Sequence, residues 1–200
     1  YVFAGRMGSG KTTFLDVLYS RRKIEKSEIE FEKKDIHSYS NREYQQQIAV
    51  VPQKFSSPWG TVENYMLKTI RRYSHIKNPD KCLDEIVRKM NISSLLKRKM
   101  KSLTPGELRW VVLTAQIAAD TKVLFIDEYE QHLGKEELKN LNNILYRKIN
   151  YDGITLIATT QNKDLIKRLA SVTITLENGR ITSLRSFSKK KDNYRNKRRN

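Results

Sequence analysis

Apolar residues along the 200-residue chain fall into short unbroken runs separated by longer stretches with helical spacing. Tyr1 to Ala4 forms the first run and leads at once into a glycine-rich loop. Helical spacing begins near Thr12 and continues through Phe14, Leu15, Val17 and Leu18. In the polar stretch that follows, Ile29 and Phe31 alternate as in an edge strand. Ile48 to Val51 is wholly apolar and Pro52 stops it, the pattern of a strand buried on both faces. From Phe55 to Met100 the spacing is helical: Leu83, Ile86, Val87 and Met90 share one face, with Leu95 and Leu96 near a second helix. Leu108, Val111, Val112, Ala115 and Ala118 recur at helical intervals while Trp110, Leu113 and Ile117 fill the other side. That helix is expected to be buried nearly all round. Val123 to Ile126 and Ile154 to Ala158 are further apolar runs. Val172, Ile174 and Leu176 alternate, Asn178-Gly179 supplies a type I′ turn, and Ile181 and Leu184 follow, which reads as a hairpin.

Strands alternating with helices predict an α/β fold with a mostly parallel sheet flanked by helices, a helical insertion and an antiparallel edge hairpin. The expected units are a core segment 1–54, a helical subdomain 55–102, the second half of the core 103–185 and a basic disordered tail 186–200. With 38% apolar and 30% charged residues the chain has enough apolar material for a real core. It has no apolar run long enough for a membrane span and no signal-peptide pattern at its start. Cys82 is the one cysteine, so no internal disulfide forms, and a reducing, cytosolic setting is expected. The formal net charge is +17, and the stretch from Arg185 to Asn200 contributes eight Lys/Arg against one Asp. A basic arm of that kind suits solubility, anionic lipid headgroups or nucleic acid.

Candidate chemistry starts in the first loop. The run GRMGSGKT from Gly5 to Thr12 fits G-x-x-x-x-G-K-[ST], a P-loop with a strand before it and a helix after it. Gly5, Gly8 and Gly10 let the backbone curl so that successive N–H groups, through Ser9 and Thr13, face one anion, helped by the helix dipole. Lys11 reaches the outer phosphates as a point charge, and the Thr12 hydroxyl is placed to ligate Mg²⁺. The second signal is Val123-Leu-Phe-Ile-Asp127-Glu128, an apolar strand ending in two carboxylates, where ligands sit in open α/β sheets. Asp127 is expected to hold the Mg²⁺ and Glu128 to orient and deprotonate an attacking water.

Together these residues resemble the nucleotide-binding domain of ATP-binding cassette (ABC) ATPases, over nearly the whole stretch from Tyr1 to Leu184. Asp127-Glu128 stand where that family has its Walker B carboxylates. Val50-Val-Pro-Gln53 resembles the Q-loop, whose glutamine contacts Mg²⁺ and the attacking water. Gly60-Thr-Val-Glu-Asn64 is similar to the segment after the Q-loop in transporter cassettes. Leu103-Thr-Pro-Gly-Glu107 stands at the LSGGQ signature, and Leu176-Glu-Asn-Gly-Arg-Ile181 matches the closing hairpin. Thr104-Pro-Gly-Glu107 also has the form of a capping box opening the buried helix. The resemblance implies that Thr104, Gly106 and Glu107 face ATP held by a second cassette, identical or different, and that binding drives dimer closure.

Three departures qualify that resemblance. Thr160-Gln161-Asn162 stands where the family has its switch histidine, and Gln161 can hydrogen-bond a γ-phosphate but cannot relay a proton. Gln131-His132-Leu133-Gly134 replaces the usual D-loop, without its aspartate, and Tyr129 replaces the usual proline. Tyr1, four residues before Gly5, is too near to stack on adenine, so the stacking residue is expected upstream. ATP binding with slow hydrolysis is the expectation. His132 is expected to be a surface residue, not a substitute for the histidine.

The resemblance implies one function first and leaves a second as the alternative. The first is an ATPase subunit on the cytoplasmic face of a membrane, coupled to an integral permease through the Q-loop and helical insertion. The second is a soluble cassette ATPase acting on ribosomes or nucleic acid, which suits the +17 charge and predicts steep salt dependence. A P-loop kinase or GTPase lacks support, because no Asn-Lys-x-Asp segment is present.

Overall fold

The computed structural model describes residues 1–20 and 29–187. Its central sheet has six strands in the order β4-β5-β6-β1-β7-β8, where β1 is Val2–Ala4, β4 Ile48–Val51, β5 Val123–Ile126, β6 Thr155–Thr160, β7 Val172–Glu177 and β8 Arg180–Ser186. The four pairings from β4 to β7 are parallel, and β7 with β8 is antiparallel. The mostly parallel α/β architecture with an edge hairpin is therefore as the sequence predicts.

The all-apolar runs become central strands because helices cover both sheet faces. Side chains alternate across β5, so Leu124 and Ile126 join one buried cluster, while Val123 and Phe125 join another. The first cluster lies with α3 (Val62–Ile70), α4 (Pro79–Met90), α5 (Pro105–Ala118) and α6 (Lys135–Tyr151), whose Met66, Leu83, Val111 and Leu141 belong to it. The second contains Leu15 of α1 (Lys11–Ser20) and Tyr44 of α2 (Asn41–Gln47).

In α5, every residue from Arg109 to Ala118 except Gln116 is buried, so the expectation of all-round burial holds, with a cation among the apolar residues. The Trp110 indole N–H is satisfied by the Met90 carbonyl at 2.9 Å, which fastens α5 to the end of α4.

Three local expectations change. The Ile29/Phe31 stretch is not an edge of the main sheet. Its β2 (Glu30–Phe31) pairs antiparallel with β3 (Lys34–Asp35) as a separate hairpin, turning through Glu32 and Lys33, both at positive φ. The strict alternation read over Val172, Ile174 and Leu176 also breaks: Thr173 and Leu176 are buried and Val172 and Ile174 half-buried, with a register shift between Thr175 and Leu176. The expected start of the tail at 186 also moves: Ser186 belongs to β8, and the Phe187 N–H donates to the Ser171 carbonyl at 2.8 Å. The rest of that segment lies outside the described residues. No helix among the described residues is long and apolar enough to cross a membrane.

Candidate nucleotide site

The site forms along the carboxyl edge of β4, β5, β6 and β1, where the sequence places its chemistry-bearing residues after each apolar run. The loop after β1 is pinned at its base by the Gly5 N–H, which donates to the Thr160 carbonyl at 3.2 Å. Gly8 and Gly10 take φ of +78° and +97°, which L side chains rarely adopt. Gly5 is fixed by space rather than φ. A Cβ there falls 2.4 Å from the Leu176 carbonyl oxygen and 2.6 Å from Ser9 Oγ. Gly5→Ala is accordingly expected to lower stability by about 1–3 kcal/mol and to weaken Mg·ATP uptake, read by thermal melting and titration.

Lys11 opens α1 and folds back over the loop: its Nζ donates to the carbonyls of Gly5 and Arg6, both at 2.8 Å. Lys11 and Ser9 are buried, whereas Thr12 and Thr13 in the first turn of α1 are exposed. The closing hairpin braces the loop from outside, since the Gly179 N–H donates to the Ser9 carbonyl at 3.0 Å. Asn178 and Gly179 both have positive φ, as the predicted turn requires.

One strand over, the buried Asp127 follows β5, and its Oδ1 accepts the Thr159 hydroxyl at 2.5 Å. The same hydroxyl oxygen accepts the Glu128 N–H at 2.7 Å, so one threonine orders both carboxylates. Glu128 has φ +47°, and its Oε1 accepts the Gln161 side-chain amide at 3.0 Å. The two residues expected to be catalytic therefore meet.

Gln53 lies just past β4, which pairs in register with β5, and the Asp127 N–H donates to the Val51 carbonyl at 2.9 Å. Gln53, Asp127 and Thr12 carry the hard oxygen donors Mg²⁺ takes, Gln53 and Asp127 just after β4 and β5 and Thr12 in the first turn of α1.

Thr104, Gly106 and Glu107 open α5, the helix whose Arg109 reaches the main chain of this edge. Thr104 caps α5, its Oγ1 accepting the Glu107 N–H at 3.3 Å while Glu107 Oε2 accepts the Thr104 N–H at 2.8 Å. That capping bond is the largest influence holding the Glu107 carboxyl below its ordinary pKa, and Arg98 Nη1 donates to Glu107 Oε1 at 2.5 Å. The Glu107 carboxylate is thereby committed locally, leaving the Thr104 hydroxyl proton and the Gly106 N–H, which has no intrahelical acceptor, at the helix end. No hydrogen bond among the described residues joins these groups to the loop of Gly5–Thr13. His132 is exposed, as expected. Its main-chain oxygen lies 3.0 Å from where a Gly106 Cβ would stand.

Three residues escaped the sequence reading. Thr159 is one, a polar residue closing an apolar strand beside the carboxylates. Glu130 is the second: its carboxylate accepts the Thr160 hydroxyl at 2.8 Å and the N–H groups of Gln161 and Asn162 at 2.8 and 3.2 Å, fixing the loop that carries Gln161. The third is Arg109, which donates to the carbonyls of Pro52, Asp127 and Glu128. Tyr129 is buried where the resembled family has proline, and burial pushes its phenol pKa up.

Comparison with known proteins agrees with this geometry. Residues 1–131 match the family described as ABC transporter. The probable iron export ATP-binding protein FetA of Escherichia coli K12 is 25% identical over 176 residues, covering 88% of this chain and 78% of FetA. The cell division ATP-binding protein FtsE of Streptococcus pneumoniae is 27% identical over 189 residues, covering 88% and 79%. Among solved structures, the dimeric post-hydrolysis state of the ATP-binding cassette MJ0796 bound to ADP and Pi superposes with a TM-score of 0.78 at 17% identity, covering 92% of this chain and 84% of that one. An ATP-binding subunit of an ABC transporter gives a TM-score of 0.81 at 16% identity, covering 92% and 77%. With the loop, the carboxylate pair and the strand order all in place, the chain belongs to the ABC transporter family and has the fold of its ATP-binding cassettes.

Proposed function

We propose that this chain binds Mg·ATP in the Gly5–Thr13 cradle, pairs with a second cassette, and couples slow hydrolysis to an integral membrane permease from the cytoplasmic face. The observation that carries the reading is the continuous hydrogen-bonded edge from Lys11 through Thr160 and Thr159 to Asp127, Glu128 and Gln161. Lys11 and the loop amides receive the phosphates, and Thr12, Gln53 and Asp127 supply oxygen ligands to the Mg²⁺, which stabilises charge on them. Glu128, oriented by the Gln161 amide, accepts the proton of the attacking water. The Thr104–Gly106 helix end, which among the described residues makes no hydrogen bond to the Gly5–Thr13 loop, serves the nucleotide held by the partner cassette. Relatives named for iron export and cell division are consistent with a membrane-coupled role, and the transported substrate is left to the permease.

Gln161 cannot ionise, so turnover is expected to be slow, and Gln161→His is expected to raise kcat roughly tenfold, a modest share of the usual acid–base contribution. Steady-state phosphate release by the parent and the variant tests this. No saturable Mg·ATP binding by the parent overturns the reading. Co-purification with RNA instead of a membrane protein would favour a soluble ATPase acting on ribosomes or nucleic acid.

A further inference from the structure

We propose that Arg109 is a positioning residue, joining α5 to the Q-loop and the catalytic carboxylate so that Glu128 is aligned only while α5 is docked. This rests on the hydrolytic reading above and names a residue for it.

From the second turn of α5, Arg109 Nη1 donates to the Pro52 carbonyl at 2.7 Å, and Nη2 to the carbonyls of Asp127 and Glu128 at 2.6 and 2.9 Å. The acceptors follow two adjacent strands, β4 and β5, so one planar group ties together three segments that are distant in sequence. The side chain is 6% exposed. Among the described residues no carboxylate lies within ion-pair distance of it. Burial lowers its pKa to about 10, with Asp127, Glu128 and Glu130 acting against that shift, so it is charged at neutral pH. Its Nε is buried without a partner. The guanidinium is therefore placed to serve the three carbonyls at the expense of one of its own donors, and satisfying the side chain alone does not account for that placement.

The effect concentrates on Glu128. Its N–H is held by the Thr159 hydroxyl and its carbonyl by Arg109 and by the Gln131 N–H at 3.0 Å, so both flanking peptide groups are fixed while φ stays at +47°. The direction of the carboxylate toward Gln161 follows from those restraints, of which Arg109 is the one that comes from α5. Gly106, one turn earlier on α5, packs against the His132 main chain just beyond Glu128. A displacement of α5 thus reaches Glu128 through Arg109 directly. An apolar residue at 109 suits the same helix face but removes the side-chain donor from the Pro52 and Asp127 carbonyls and leaves the Glu128 carbonyl only the Gln131 N–H.

The test compares the full chain with Arg109→Lys and Arg109→Met, following thermal melting, Mg·ATP affinity and steady-state kinetics. Lysine keeps the charge but cannot span three acceptors. The expected result is a folded Arg109→Lys protein with Kd and KM within about twofold of the parent and kcat at least tenfold lower, the signature of lost alignment. Arg109→Met is expected to show the same split, and if it does not fold, Arg109→Lys decides. A folded variant with kcat within twofold of the parent overturns the proposal, as does a kcat that falls only with the folded fraction. If the parent binds Mg·ATP but has no turnover, the hydrolytic reading falls and takes this proposal with it. A parent that turns over alongside an equally active variant sinks this proposal alone.

Discussion

Lys11→Ala is expected to weaken Mg·ATP binding by about two orders of magnitude. The ammonium is buried and held by the Gly5 and Arg6 carbonyls, so it supplies the phosphates with a charge that is already desolvated and fixed. Hydrogen bonds to charged groups contribute about 1.5–3 kcal/mol each, and a loss of about 3 kcal/mol is roughly a hundredfold in affinity. Alanine also strips the two carbonyls of their donor, so the loop itself relaxes. Titration of the folded variant with Mg·ATP reads the change, and affinity within threefold of the parent would remove Lys11 from the site.

Glu128→Gln is expected to lower turnover by about 10²–10⁴-fold while leaving Mg·ATP binding intact. The substitution keeps the side-chain shape and an Oε1 able to accept from Gln161, so geometry is conserved while the proton acceptor is lost. Asp127, held by Thr159, and the loop are untouched. The variant should retain unhydrolysed ATP through gel filtration where the parent releases phosphate. Equal turnover in the two proteins would take Glu128 out of the chemistry.

Legibility in the sequence followed how local each constraint is. The strands Ile48–Val51 and Val123–Ile126 stand out because burial on both faces demands unbroken apolar runs. The loop and the carboxylate pair stand out because phosphate and metal chemistry fixes residue types at short spacing. Less visible was α6, where the buried Leu138, Leu141 and Leu145 are diluted among polar and charged neighbours. The short α2 carried a signal that went unused, Ser40 and Glu43 in a capping box that the structure forms on both sides. The break in the β7 alternation is invisible in the sequence because a register shift leaves no mark on an alternating pattern. Arg109 and Glu130 were hidden for a different reason. Their partners are largely main-chain groups, and Arg109 meets a carbonyl 57 positions away, which residue types do not encode.

The backbone of Glu128 carries one further implication. A non-glycine residue in the left-handed region costs on the order of 1 kcal/mol, and Thr159 and Arg109 hold it there. Glycine would relieve that cost and give a sturdier fold with no proton acceptor. Durability and turnover therefore pull in opposite directions at this single position, so selection for heat resistance alone would tend to erase the enzyme before it erased the scaffold.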